Sequence, residues 1–285
     1  MKADIEKYNK LRSKLNILTL DRAEKYYEIL YVVDRVMTKF KIDYSIACGT
    51  LLGALRHGGL IPWDDDLDVM VFDPDQEKMF DPMVIREFNK YGLNGFRYTH
   101  TKKRGINYVN HVYKETRWGS ESLLTDKYLK LSYREIPNGV DEKLYEQHEC
   151  PHDLKTSKYN GGRQLRDVEI CDFFPHRNVK GLGWIPDCLM KTREKREKYI
   201  LTDDDIWPLK RIKFGNFEVS VINNSIESVK KWAGEDFMNK PYWSHGHGRS
   251  PYIDDKLYIK NNAEIFKDLV TPCTLDLSKY KNKES

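Results

Sequence analysis

The chain has no long apolar run. Nowhere do eighteen apolar residues follow one another, and the first thirty lack the hydrophobic stretch of a secretory leader. No membrane-spanning segment is expected, and a cytoplasmic protein is. Cysteine is sparse and unpatterned: five residues, at 48, 150, 171, 188 and 273, form no framework spacing, which favours free thiols in a reducing compartment. Neither sign of charge dominates, since 48 basic and 44 acidic residues leave a net +4, and nucleic-acid binding has no support. Core-forming residues, by contrast, are not lacking. With 285 residues, 40% of them hydrophobic and 12% aromatic, the chain can bury a sizeable core, and its composition argues for a folded protein rather than a disordered one.

Against that even background stands Tyr44–Asp68, YSIACGTLLGALRHGGLIPWDDDLD. It predicts a strand over 44–48, a turn at Gly49-Thr50, a short helix over 51–56, a loop, and a second strand over 67–72. Asp66 enters that strand and Asp68 follows two residues on, so alternation puts both carboxylates on one face. Two anions on a poorly solvated strand repel unless a divalent cation lies between them. Asp65 falls on the opposite face, suited to a cap or a supporting bond. Gly49 allows close backbone approach to a ligand, amides at a helix start suit phosphate, and Thr50 adds a hydroxyl. Arg56 either forks onto a phosphate or caps the helix, and His57 beside it is a further candidate substrate contact. Trp63 reads as a packing wedge. The other acidic triple, Asp203–Asp205, runs into Ile206-Trp207-Pro208 and reads as a solvated turn or helix cap.

Elsewhere, Asp21 with Glu24 resembles the start of a helix whose core face is Ala23, Tyr26, Tyr27, Leu30, Val33, Met37 and Phe40. A second helix is predicted over 76–91, alternating strands over 92–116, and a turn-rich insertion over 117–165. Within the insertion His148, Cys150 and His152 are spaced too tightly for the usual zinc pairs and read as a surface loop. Val168, Ile170 and Asp172 share one face of a short strand before Pro175, making Asp172 a third candidate metal carboxylate. Pro186 opens a basic helix. A hairpin over 209–222 turns at Gly215-Asn216, and a helix capped by Ser225 runs through Trp232 to Gly234. His245 and His247 read as loop residues.

GTLLGALRHGGLIPWDDDLDV resembles the signature of the LicD family, which includes bacterial phosphocholine transferases and the fukutin-related proteins. ICDFFP, DDDIWPLKRIKFGNFEV and KKWAGEDFMNKP resemble later family segments in the same order. The resemblance implies an α+β nucleotidyltransferase fold like that of DNA polymerase β, with a mixed sheet flanked by helices. It would form a single domain over 1–285 with an inserted lobe near 117–165. It also implies transfer of a phosphorylated alcohol from a CDP-linked donor (choline, ribitol or similar) to a hydroxyl of a glycan or glycolipid acceptor, with release of CMP. By position, Asp66, Asp68 and Asp172 would be the catalytic metal ligands for Mg2+ or Mn2+, and Gly49 and Thr50 the phosphate turn. Two other readings stay open: nucleotidyl transfer from an NTP to a sugar phosphate or small molecule, and an inactive glycan-binding or scaffold member.

Overall fold

The structure, a computed structural model, describes residues 5–12, 17–64, 66–73, 75–101, 107–111, 124–132, 170–186, 197–239 and 269–283. Asp65, His148, Cys150, His152, His245, His247, the expected basic helix over 187–196 and most of the expected insertion lie outside these residues.

A short helix α1 (Ile5–Arg12) precedes α2 (Leu20–Lys39). Thr19 rather than Asp21 caps α2: its hydroxyl accepts the Arg22 N–H at 3.2 Å, and Asp21 lies in the first turn, where its charge suits the helix N-terminus. The three- and four-residue repeat buries Ala23, Tyr26, Tyr27, Leu30, Val33 and Met37. Strand β1 (Tyr44–Ile46), helix α3 (Cys48–His57) and strand β2 (Leu67–Phe72) follow. The strand is shorter, and the helix begins earlier, than the sequence suggests. Cys48, at φ +41°, turns the chain from extended Ala47 directly into the helix.

The helix predicted over 76–91 is divided. A 3-10 segment, Asp75–Phe80, precedes α4 (Pro82–Lys90). Asp81 caps α4 by accepting the Met83 N–H at 2.7 Å, and Pro82 takes the first turn, where a missing N–H leaves nothing unpaired. Then come β3 (Asn94–Thr101), β4 (Asn107–His111), β5 (Leu124–Ser132), β6 (Ile170–Val179) and β7 (Gly183–Pro186). Next come α5 (Asp203–Ile206), β8 (Lys210–Phe214), β9 (Phe217–Val221) and α6 (Ser225–Ala233), and a 3-10 segment, Leu277–Lys283, closes the described part. Pro186 belongs to the strand β7. Asn224, not Ser225, occupies the N-cap position of α6, and Gly234 at φ +94° stops it. The Asp203–Asp205 triple is a helix start: Thr202 Oγ1 accepts the Asp205 N–H at 3.1 Å while Asp205 accepts the Thr202 N–H at 3.0 Å.

The fold is mixed α+β, with a central sheet flanked by helices. Among the described residues the main sheet runs β1-β2-β6-β5-β3-β4, with β7 also on β6. β1 and β2 are antiparallel, β2 and β6 parallel, and β6 pairs antiparallel with β5 at one end and β7 at the other. Alternation gives β2 and β6 two distinct faces. Leu67, Val69, Val71, Cys171 and Phe173 enter the large core with the buried side of α2 and with Val84, Ile85 and Phe88 of α4. Met70 and Phe72 face the other way, into a smaller cluster with Trp184, Leu201, Ile206 and Ile222. No helix among the described residues is long and apolar enough to cross a membrane.

The β8–β9 hairpin lies beside β1 and is joined to it by side chains. Ser45 Oγ accepts the Ile222 N–H at 3.0 Å, and the Tyr44 hydroxyl accepts the Ser220 N–H at 3.2 Å. Tyr44 donates in turn to Asp34 of α2, whose carboxylate receives Arg211 of β8 through two nitrogens, at 2.5 and 2.9 Å. Helix, strand and hairpin are thereby held as one unit.

Candidate active site

The parallel register of β2 and β6 places Asp68 directly opposite Asp172. Neighbouring strands lie about 4.8 Å apart and side chains in register leave the sheet on the same side, so the two carboxylates share one face. Both residues are buried, at 9% and 5% exposure. Asp172 is not at a strand end, as the proline after it suggests; it is an interior residue of β6, which continues through Pro175 to Val179. Asp66 stands immediately before β2, half-buried, outside the ladder.

Asp68 is fixed by the start of α3. Gly49 donates its N–H to Asp68 Oδ2 at 3.2 Å, the Thr50 hydroxyl oxygen accepts the Asp68 N–H at 2.8 Å, and Ala47 donates to the Asp68 carbonyl at 2.9 Å. The close approach inferred for Gly49 exists, but its partner here is protein. A Cβ on Gly49 would lie 2.5 Å from Asp64 Oδ2, so the glycine makes room for the Asp64 carboxylate. Asp64 is the residue that sequence reasoning passed over. Its place beside the turn depends on how the 58–66 loop folds back, and the available signal was a glycine with no tolerance for a side chain.

Arg56 and His57, candidate substrate contacts, bond to each other and to two distant carbonyls. Arg56 Nε donates to His57 Nε2 at 2.9 Å, which leaves the ring proton on Nδ1 for the Leu269 carbonyl 2.8 Å away. With 4% of its surface exposed and both nitrogens engaged, His57 ties α3 to the chain near Leu269. Arg56 also donates to the Phe237 carbonyl at 3.3 Å, lies 5.9 Å from the centre of the Trp63 ring, and has Asp64 as a favourable neighbour. Burial brings its pKa down to about 10, against the opposing pull of Asp64. Trp63 is buried, its ring edge-on to His57 at 5.5 Å, as a packing wedge should be.

Two histidines are held neutral. Burial first, and the Arg56 charge second, lower His57 to about 3; burial lowers His176, on the Asp172 side of β6, to about 4. Each hydrogen bond to a carbonyl, from Leu269 or Phe174, works the other way. As pH falls below about 6.5 the unfolded chain takes up protons that these folded sites refuse. The contribution is therefore complete above that value and is lost on acidification, by about 1.4 kcal/mol per pH unit for each histidine. The loss continues to about 4, where His176 itself begins to titrate. Urea unfolding at pH 7 and pH 5 should show a lower midpoint at pH 5; an equal or higher one contradicts the assignment.

Among the described residues no group of three or more His, Cys, Asp or Glu side chains is arranged to hold a metal ion. The donor chemistry nonetheless fits a hard divalent cation. Two buried carboxylates in register are all-oxygen donors, and their mutual repulsion favours a positive charge between them.

Residues 41–128 match the family described as LicD/FKTN/FKRP, nucleotidyltransferase domain. That segment, less than half of the chain, carries a LicD-like nucleotidyltransferase domain. The chain is 49% identical over 55 residues to the lipopolysaccharide cholinephosphotransferase LicD of Haemophilus influenzae (strain ATCC 51907 / DSM 11121 / KW20 / Rd), which covers 19% of this chain and 21% of that protein. An uncharacterized protein of Rickettsia prowazekii (strain Madrid E) is 25% identical over 221 residues, 72% of this chain and 76% of the relative. A second, from Rickettsia typhi (strain ATCC VR-144 / Wilmington), is 25% identical over 219 residues; there the alignment spans 72% of this chain and 64% of the relative.

Proposed function

We propose that this chain is a metal-dependent transferase that moves a phosphorylated alcohol, such as phosphocholine or ribitol phosphate, from a CDP-linked donor to a hydroxyl of a glycan or glycolipid. The observation that carries this reading is the register of Asp68 against Asp172 on one sheet face, with the start of α3 packed against Asp68. The likeness over 55 residues to a lipopolysaccharide cholinephosphotransferase supports the choice of substrate class.

Asp68 and Asp172, with Asp66 entering from the preceding loop, would hold Mg2+ or Mn2+. When bound, such an ion supplies charge stabilisation for a phosphate oxygen. Asp172 is also the candidate base, a carboxylate able to take the proton from the acceptor hydroxyl as it attacks phosphorus. The turn at Gly49 and Thr50 sets the position of Asp68, and Arg56 braces the loop that carries Asp64.

The description of the matched family as a nucleotidyltransferase domain gives weight to a second reading, transfer from an NTP. A thermal-shift screen of CDP-choline, CDP-ribitol, CDP-glycerol and NTPs, with and without Mg2+, tests both, because a ligand of the folded state raises the melting temperature. A Mg2+-dependent shift with a CDP-alcohol, followed by CMP release, is the expected result. Pyrophosphate as the product would favour the second reading. No cation-dependent nucleotide binding would leave a glycan-binding or scaffold protein.

A further inference from the structure

We propose that Thr50 is a positioning residue for the acidic pair and not a phosphate contact; the inference rests on the metal-carboxylate reading above. Strand β1 ends at Ile46, which pairs with Val69, so on that side Asp68 lies just beyond the ladder. Its main chain would there lack partners. The start of α3 supplies them: Ala47 N–H for the carbonyl, Thr50 Oγ1 for the N–H, and Gly49 N–H for the carboxylate itself. Three residues of one turn thus fix Asp68 at its N–H, its C=O and its side chain.

Thr50 suits this work and is poorly placed for ligand contact. It is 3% exposed, and its oxygen is within 2.8 Å of a main-chain donor. The geometric consequence falls on Asp172. Register brings the two aspartates opposite one another, but the aim of the Asp68 carboxylate depends on where its backbone enters β2. The Thr50 bond sets that entry point. Groups that orient a metal-binding side chain commonly change metal affinity by about 10- to 100-fold when removed.

The test compares Thr50→Val, which keeps the shape and loses the acceptor, with Thr50→Ser, which keeps the oxygen and loses the methyl. Mn2+ binding is titrated by electron paramagnetic resonance without substrate, and deuterium exchange of the Asp68 amide is followed by NMR. Thr50→Val should bind Mn2+ about tenfold more weakly and exchange the Asp68 amide faster. Thr50→Ser should match the wild type in both. Unchanged Mn2+ affinity in Thr50→Val, with only the donor KM raised, overturns the proposal in favour of a phosphate contact. Equal losses in both variants overturn it in favour of packing. A wild type that binds no Mn2+ refutes the metal reading itself and with it Thr50's part in cation binding. Even then the amide decides whether Thr50 holds Asp68: faster exchange in Thr50→Val upholds the clamp, and unchanged exchange removes it.

Discussion

Asp172→Asn is expected to lower transfer by about a thousandfold or more while leaving the fold intact. Asparagine keeps the shape and removes the charge, so the β2–β6 pairing has no steric reason to change. On the proposed function, what would be lost is one of the two carboxylate charges that register sets side by side, together with the base for the acceptor hydroxyl. A thousandfold corresponds to about 4 kcal/mol of transition-state stabilisation, within the range for removing one electrostatic group from a closed site. The same change takes away one of two buried like charges. The ion-free protein should accordingly be no less stable than the wild type, and melting in EDTA checks that half of the expectation. Near-full transfer by a folded Asp172→Asn protein would remove Asp172 from the chemistry.

Tyr27→Phe should destabilise the protein by about 2–4 kcal/mol, although it removes a single oxygen. The hydroxyl is fully buried and serves two distant segments, donating to the Thr271 carbonyl at 2.9 Å and accepting the Leu60 N–H at 3.3 Å. Phenylalanine leaves both main-chain groups without that partner in a dry interior, where each costs about 1–3 kcal/mol. The ring stays, edge-on to Phe214 and Phe217 at 5.6 and 6.4 Å, so the loss belongs to the oxygen alone. Gly59 has no side chain because that hydroxyl occupies the space. Since Gly59 and Leu60 begin the loop that delivers Asp64 and Asp66, transfer should fall along with stability. Urea unfolding with an unchanged slope and a lower midpoint is the signature; an unmoved midpoint rejects the account.

Those parts of the fold whose cause is local could be read directly from the sequence. The core face of α2 follows the helical repeat, β2 follows its short apolar run, and the β8–β9 hairpin announces itself through Gly215-Asn216 between two β-rich runs. Parts that depend on distant partners could not. Pro175 reads as a stop because it has no N–H to give a ladder. In β6 it falls between the last residue paired with β5, Phe173, and the first paired with β7, His176, so no antiparallel partner asks for that hydrogen. His57 follows Arg56 at the end of a helix, and nothing local announces that Leu269, more than two hundred residues away, meets its Nδ1. Asn223 and Asn224, just after the hairpin, carry no signal in the sequence. Both side-chain amides donate to the Asp204 carbonyl, at 3.0 and 3.2 Å, and so help to hold α5. In the site, setting Asp68 against Asp172 required the pairing of β2 with β6, and the position of Asp64 required the loop in three dimensions.

The hairpin beside β1 has a consequence for solubility. Among the described residues β1 pairs with β2 on one side only, and β9 lies along its other side through the Ser45 and Tyr44 side chains, outside the main sheet. It acts as a cover over what would otherwise be an open strand edge, the kind that recruits strands from other molecules. A chain shortened to end before Lys210 would carry residues 44–46 uncovered, and self-association through that margin is the fate to expect of it.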